Sequence, residues 1–347
     1  MKPLISCIMS NYNTEPEMFK IAIDSILSQT LEDFELILID DKSTDETSTK
    51  IIREYAKKDS RVIAIYNERN MGLAGALNEG LKVARGEYIA RFDTDDICVK
   101  NRFEKQISYM KKNNLDICST FSHPFGAYED VVATWFHTCK LLPVQMLFSC
   151  YICHPSVMMK ISFLKKYNLC YDEVFDGAED FDLFSRCCEK KARICIMPEV
   201  LLHYRLHGSS VCHTQKPKQI VLSKKICKRQ LDNMQVKYSE EEWNLHLILC
   251  GLDTYTQENH KDLKAWCQKL ICVNKENNCF EPGAFSKVIY NRFLGAVLKA
   301  QLPLQKKIKI ICSDFNLLSY SNIAAIIYKK VFKFMYRLKG QGKNAEK

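Results

Sequence analysis

The sequence predicts an α/β protein: a Rossmann-like parallel sheet with crossover helices over residues 1–212, followed by a mostly α-helical region over residues 213–347. Three observations carry that prediction. Short apolar runs alternate with segments of helical periodicity through the first hundred residues, the pattern of βαβ units. Polar clusters stand at the ends of three of those runs, where an open α/β sheet binds its ligands. From about His213 onward only helical patterns remain.

The elements follow in order. Leu4 to Met9 is an apolar run closed by Ser10-Asn-Tyr-Asn13, and Phe19, Ala22, Ile23, Ile26 and Leu27 recur at helical spacing. Phe34 to Asp41 repeats the strand, and Ser43-Thr-Asp-Glu46 has the capping-box pattern that opens a helix running to about Lys58. Arg61 to Tyr66 is a third strand. Leu73, Leu77, Leu81 and Ala84 line a further helix for which Gly86 is the expected stop, and a fourth strand then delivers Asp93. Between Leu115 and Thr138 the pattern is irregular, with hairpin-like alternation over Val131–Phe136, and a short helix is expected after Pro143. Glu179 and Asp180 fall in the first turn of an amphipathic helix whose inward residues are Leu183, Phe184, Cys187 and Cys188.

Composition narrows the class. At 47% hydrophobic and 26% charged the chain is globular, and no apolar run reaches the roughly 18 residues of a membrane span. The N-terminal residues lack a secretory pattern, so a cytoplasmic location is expected. The 17 cysteines are scattered without framework spacing, which favours reduced thiols. Cys150-Tyr-Ile-Cys153-His154 matches a haem-attachment pattern, but that chemistry needs export, and no second CxxC supports zinc. Residues 1–212 carry 26 Lys+Arg against 30 Asp+Glu, net −4, whereas residues 213–347 carry net +13. A basic tail on a mildly acidic body points to an anionic partner for the tail.

The stretch Gly86-Glu-Tyr-Ile-Ala-Arg-Phe-Asp-Thr-Asp-Asp96 runs a strand into three carboxylates within four residues. Like charges at a strand end repel unless a cation or hydrogen-bond donors gather there. The alternatives are a solvated Asp turn and a site for a hard divalent ion. The first strand-to-helix turn, Ser10 to Pro16, has neither GxGxxG nor GxxxxGK[ST], so a phosphate ligand has to be neutralised another way.

Four motifs in order, Ser10-Asn-Tyr-Asn13, Ile39-Asp-Asp-Lys-Ser-Thr-Asp45, Asn70-Met-Gly-Leu-Ala-Gly-Ala-Leu-Asn78 and Gly86–Asp96, closely resemble the family 2 glycosyltransferases of GT-A fold, of the bacterial polysaccharide and lipopolysaccharide type. The resemblance continues through His154-Pro-Ser-Val-Met158, Ala178-Glu-Asp-Phe-Asp-Leu183 and Tyr204-Arg-Leu-His207, and so spans about residues 3–212. It divides that domain into a nucleotide-binding half, 1–115, and an acceptor half, 116–212. One departure is Lys42, where the family commonly has Gly.

The resemblance implies a metal-dependent inverting transfer of a sugar from a nucleotide-diphosphate sugar, a UDP-sugar above all, to a saccharide or lipid-linked glycan hydroxyl. Asp180 takes the role of general base with Glu179 beside it; both also fit ordinary helix-start acids. Asp95 and His207, with Asp93, look like ligands of Mn²⁺ or Mg²⁺. Ser10, Tyr12, Asp40 or Asp41, Asn78, Asp93 and Arg205 are the expected nucleotide contacts. Arg91 and Arg205 fit either phosphate pairing or structural ion pairs. A nucleotidyltransferase and a non-catalytic sugar-nucleotide binder or membrane scaffold are the alternatives. In the tail, Ile323, Ile327, Val331, Phe334 and Leu338 oppose Lys329, Lys330, Lys333 and Arg337, a basic amphipathic pattern that suits either a packing helix or an anionic membrane surface at the inner face. No nucleic-acid-reading motif accompanies the charge, and no nucleic-acid partner is expected.

Overall fold

The computed structural model describes residues 2–126, 132, 137–206 and 216–313. Two compact units divide the chain, one comprising residues 1–137 and 152–219, the other residues 138–151 and 220–347.

The first unit is built on an eight-stranded sheet in the order β3-β2-β1-β4-β7-β6-β8-β5. Its first half is the alternation read from the sequence: β1 (Ile5–Asn11), α1 (Pro16–Leu27), β2 (Phe34–Asp40), α2 (Glu46–Lys58), β3 (Val62–Tyr66), α3 (Gly72–Val83) and β4 (Tyr88–Arg91). These four strands run parallel, with Ile5 to Asn11 in register against Phe34 to Asp40 and Ile5 to Ile8 against Tyr88 to Arg91. Every residue of β2 is buried and all of β1 is except half-buried Ser10, as expected for strands covered on both faces.

The second half makes the sheet mixed rather than wholly parallel. It comprises β5 (Ile97–Cys98), α4 (Arg102–Lys112), β6 (Ile117–Gly126), β7 (Met158–Lys160), α6 (Ile161–Lys166), α7 (Glu179–Glu189) and β8 (Ile194–Leu206); α5 (Leu142–Gln145) belongs to the other unit. β7 is antiparallel to both β4 and β6, and β5 is antiparallel to β8, while β6 and β8 run parallel with a register shift at Thr120–Ser122. Of the hairpin expected over 131–136, only Val132 is described, bridging antiparallel to Ser122; the remaining five residues lie outside the described residues.

Local chemistry corrects two details. Asp45, not Ser43, caps α2, accepting from the Thr47 amide at 2.7 Å. Ser43 turns the other way, its hydroxyl accepting from the Asn11 amide group and the Asn13 backbone, each at 3.1 Å, so it ties the first loop to the second. Gly86 is not the terminator of α3, which closes at Ala84. A Cβ at Gly86 would stand 2.5 Å from the Ser6 nitrogen, so the glycine is there because its backbone runs against β1.

The second unit is helical: α5, then α8 (Lys216–Asn233, which begins in the first unit), α9 (Glu240–Cys250), α10 (His260–Asn277), α11 (Pro282–Lys299) and α12 (Leu304–Ser313). α9 opens with a full Ser239/Glu242 capping box and ends on left-handed Gly251. Its core holds Trp266, Phe285, Val288 and Ile289. Among the described residues no helix is long and apolar enough to cross a membrane. Among the described residues thirteen cysteines are free thiols, seven of them buried. Cys139 and Cys195 are in disulfide form, which corrects the expectation of reduced thiols throughout.

Candidate active site

The C-terminal ends of β1, β2 and β4 lie side by side, because Asn11 is in register with Asp40 and Ile8 with Arg91. Each strand end therefore hands its polar cluster to one crevice, as the parallel half of the sheet requires. Thr14 and Thr94 share a 2.7 Å hydroxyl contact that pins the β1 loop to the turn after β4.

Asp40 and Asp41 are both buried and both engaged. Asp40 accepts from the Ser43 amide at 3.1 Å and the Thr49 hydroxyl at 2.7 Å. Asp41 accepts from the Asn67 side chain at 2.7 Å and from the Met71 amide, which fixes the entry to α3. Ser10 is half-buried at the end of β1, and Tyr12 stands 49% exposed beyond it, available as a stacking surface. Lys42 has φ +62°, a left-handed conformation that favours glycine, which accounts for the glycine common at this place in the family it resembles.

The acidic turn lies at the end of β4. One carboxylate oxygen from each of Asp93, Asp95 and Asp96 can be chosen so that all lie within 4.8 Å of one another. Three carboxylates this close are unstable as anions. Asp93 is packed among protein atoms although 28% of its side chain is still open, and burial pushes its pKa up, Arg91 opposes and Asp95 adds to the rise. Asp96 is fully buried, and burial followed by the Asp93 and Asp95 charges raises its pKa well above the usual carboxylate range. Its Oδ1 accepts from the Arg205 amide at 2.8 Å, while Oδ2 is buried with no partner. An oxygen-rich cluster with an unsatisfied buried carboxylate oxygen fits a hard divalent ion. Arg205 holds the turn's main chain, donating from Nε to the Asp95 carbonyl at 2.7 Å, with its guanidinium over the Phe125 ring. His207 lies outside the described residues.

The second carboxylate pair comes from the start of α7. Glu179 is buried, and burial, reinforced by the neighbouring Asp180 charge, pushes its pKa up to about 7. Its Oε2 accepts from the Gly177 amide at 2.8 Å, and Oε1 stands 3.8 Å from His154 Nδ1. The N-cap residue, Ala178, has no polar side chain to cap with, and Asp180 Oδ1 accepts from the first-turn Phe181 amide at 2.6 Å. Asp180 is half-buried, within electrostatic reach of Asp93 and Tyr171. The acidic turn and the α7 acids therefore lie within electrostatic range of one another.

Asn78 is elsewhere. Its amide group exchanges hydrogen bonds with the Tyr171 backbone at 2.9 and 3.0 Å, on the wall of a cavity of about 320 Å³ shared with Lys82, Lys165 and Glu173.

Three residues that sequence reasoning gave no role complete the site. Arg102, fully buried, donates to the carbonyls of Pro155 and Arg91 and to Gln106, clamping the strand end beneath the turn. His154 Nε2 contacts the Tyr171 hydroxyl at 2.8 Å, and burial, with Arg91 nearby, holds its pKa well below the usual histidine range. Nothing in the periodicity marks an arginine as a buried clamp; for His154 the only signal was the His-Pro-Ser-Val-Met motif, and for Tyr171 there was none.

A Glycosyl transferase family 2 model matches residues 6–178. An uncharacterized glycosyltransferase of Methanocaldococcus jannaschii, MJ1057, is 38% identical over 210 residues, covering 59% of this chain and 71% of that protein. The chain belongs to glycosyltransferase family 2. A second relative in the family, the Escherichia coli enzyme named UDP-Glc:alpha-D-GlcNAc-diphosphoundecaprenol beta-1,3-glucosyltransferase WfaP, is 30% identical over 226 residues, covering 65% of this chain and 86% of that one. Staphylococcus aureus TarS 1-349, solved with UDP-GlcNAc, superimposes with a TM-score of 0.56 at 19% identity, covering 84% of this chain and 86% of TarS 1-349, a likeness in fold. The chain is thus a family 2 glycosyltransferase with the GT-A fold.

Proposed function

We propose that this family 2 glycosyltransferase transfers a sugar from a UDP-sugar to a hydroxyl of a saccharide or lipid-linked glycan, with inversion at the anomeric carbon and dependence on Mn²⁺ or Mg²⁺. The observation that supports it most is the meeting of two carboxylate groups with different environments: the acidic turn after β4 and the Glu179-Asp180 start of α7. Glycosyl transfer needs both, one to hold a leaving diphosphate and one to take a proton from the attacking hydroxyl.

The divalent ion would be held by Asp95 and His207 with Asp93 in support, and would supply the positive charge that a leaving diphosphate requires. Ser10, Tyr12 and one of Asp40 and Asp41 would take the nucleoside, Tyr12 by stacking. Asp180, the more open member of its pair, is the base, accepting the acceptor's proton as the hydroxyl attacks opposite the departing diphosphate. Glu179 is buried with one carboxylate oxygen committed to the Gly177 amide, and shapes the pocket instead. The activity for which WfaP is named and the UDP-GlcNAc complex of TarS support UDP as the nucleotide, and WfaP a lipid-linked glycan as acceptor class.

Hydrolysis of a panel of UDP-, GDP- and dTDP-sugars, with and without Mn²⁺, tests the reading; metal-dependent release of UDP is expected. Equal release without metal, or release from no sugar nucleotide, would refute it. The tail over 320–347 would dock the enzyme on an anionic inner leaflet, each basic residue adding about 1 kcal/mol. Flotation with anionic vesicles that is unchanged on deleting 320–347 would sink that part.

A further inference from the structure

Arg91 ends β4 and is 3% exposed, two residues before the acidic turn. Its Nη2 bonds Asp93 Oδ1 at 2.5 Å, while Nε and Nη1 are buried without a partner. So enclosed a guanidinium is not placed to grip a phosphate in the crevice. It nevertheless remains charged: burial opposes its charge, but Asp93 outweighs burial and raises its pKa. A buried cation with unsatisfied donors destabilises the fold on its own account, so its retention beside three carboxylates calls for an electrostatic role.

We propose that Arg91 is a positioning residue that sets the charge of the acidic turn. By taking Asp93 as its partner it offsets one carboxylate charge, so that with all three carboxylates ionised around a divalent ion the charge of Arg91 and the carboxylates together is two negative rather than three. A doubly negative cluster matches one divalent ion. A triply negative cluster would bind the ion more tightly but leave residual negative charge facing the diphosphate. Asp96 Oδ2, buried and unpaired, is the oxygen this arrangement holds ready.

The inference rests on the metal-binding part of the preceding proposal and is independent of the sugar transferred. The test is a double-variant cycle read as the Kd for Mn²⁺ by titration of the free full-length protein, without substrates. Arg91→Met removes the cation and should tighten Mn²⁺ about tenfold, an electrostatic effect of near neighbours in a partly buried site. Asp93→Asn leaves the cation unopposed and should weaken Mn²⁺ about tenfold, while the double variant, with both charges gone, should return to within about threefold of wild type. Arg91→Lys, which retains the charge, should stay near wild type. A structural role alone would weaken binding in Arg91→Met. That result overturns the inference, as does a double variant that stays as weak as Asp93→Asn, since Asp93 would then itself be an essential ligand. If Arg91→Met does not fold, the double variant, whose buried pair is neutral and close in shape, decides the question. Wild-type protein that binds Mn²⁺ without this pattern refutes the inference alone; wild-type protein that binds no Mn²⁺ refutes metal dependence and the inference with it.

Discussion

Replacing Glu179 with glutamine should remove a pH-dependent penalty from the folded state. Glu179 is 6% exposed, and burial pushes its carboxyl up to about 7 in the fold from the 4.5 of a free glutamate. Between those values the folded protein holds a proton that the unfolded chain has released, so stability falls as pH rises from about 4.5 to about 7 and is level above. The gap of about 2.5 units corresponds to roughly 3 kcal/mol at most. Glutamine keeps the shape and the oxygen that accepts from the Gly177 amide but carries no charge. Urea unfolding of wild type and Glu179→Gln at intervals from pH 5 to pH 8 measures the difference curve, which cancels other titrating groups. The variant should gain steadily on wild type up to about pH 7 and stay roughly 3 kcal/mol ahead at most. Parallel curves would refute the assignment of a buried, protonated Glu179.

Asp180→Asn should abolish transfer, by about three orders of magnitude or more, while the Kd for UDP in the presence of Mn²⁺ changes little; turnover near wild type would remove Asp180 from the base role. Asp95→Ala should instead weaken Mn²⁺-dependent UDP binding tenfold or more, read by the same titration, and unaltered binding would count against its ligand role. Lys42→Gly should stabilise the fold by up to about 1 kcal/mol in denaturant unfolding, because relieving a left-handed lysine outweighs the chain entropy that glycine adds to the unfolded state. A loss of stability there would mean that the lysine side chain makes contacts that outweigh its strain.

The parallel half of the sheet was legible because each of its strands is a nearly continuous apolar run, and because carboxylates collect at the strand ends. The second half was not, since direction is not written in a strand: Met158–Lys160 is three residues long and reads the same in either orientation, and its antiparallel pairing to β4 and β6 follows from the path of the preceding chain. Ser43 and Gly86 misled for a related reason. A serine followed three residues later by glutamate, or a glycine just past a helix, has a local meaning that tertiary neighbours can overrule, here the loop of Asn11 and Asn13 and the backbone of Ser6. At the site, acidic residues announced themselves by spacing, whereas the residues that tune them did not. Arg91 and Arg102 are ordinary basic residues in a sequence, and only burial turns them into fixed countercharges.

The start of α1 bears on the proposed role of the acidic turn in meeting a diphosphate. In a dinucleotide-binding sheet the first helix points its free amides and positive dipole end at the phosphates. Here that position is taken by the protein's own anion: Glu15 caps α1, accepting from the Met18 amide at 2.9 Å, and its pKa is lowered by those backbone donors. An occupied helix end repels a second anion instead of attracting it. Positive charge for a diphosphate therefore has to come from the other side of the crevice. The groups there are the Asp93–Asp96 turn, which is attractive to a phosphate only with a cation on it, and the arginines behind it. Arg205 is committed to the turn's main chain and Arg91 to Asp93. A diphosphate approaching this end of the sheet thus meets net repulsion from Glu15 and the turn alike until a divalent ion is bound, which makes ion before nucleotide the binding order that the charges favour.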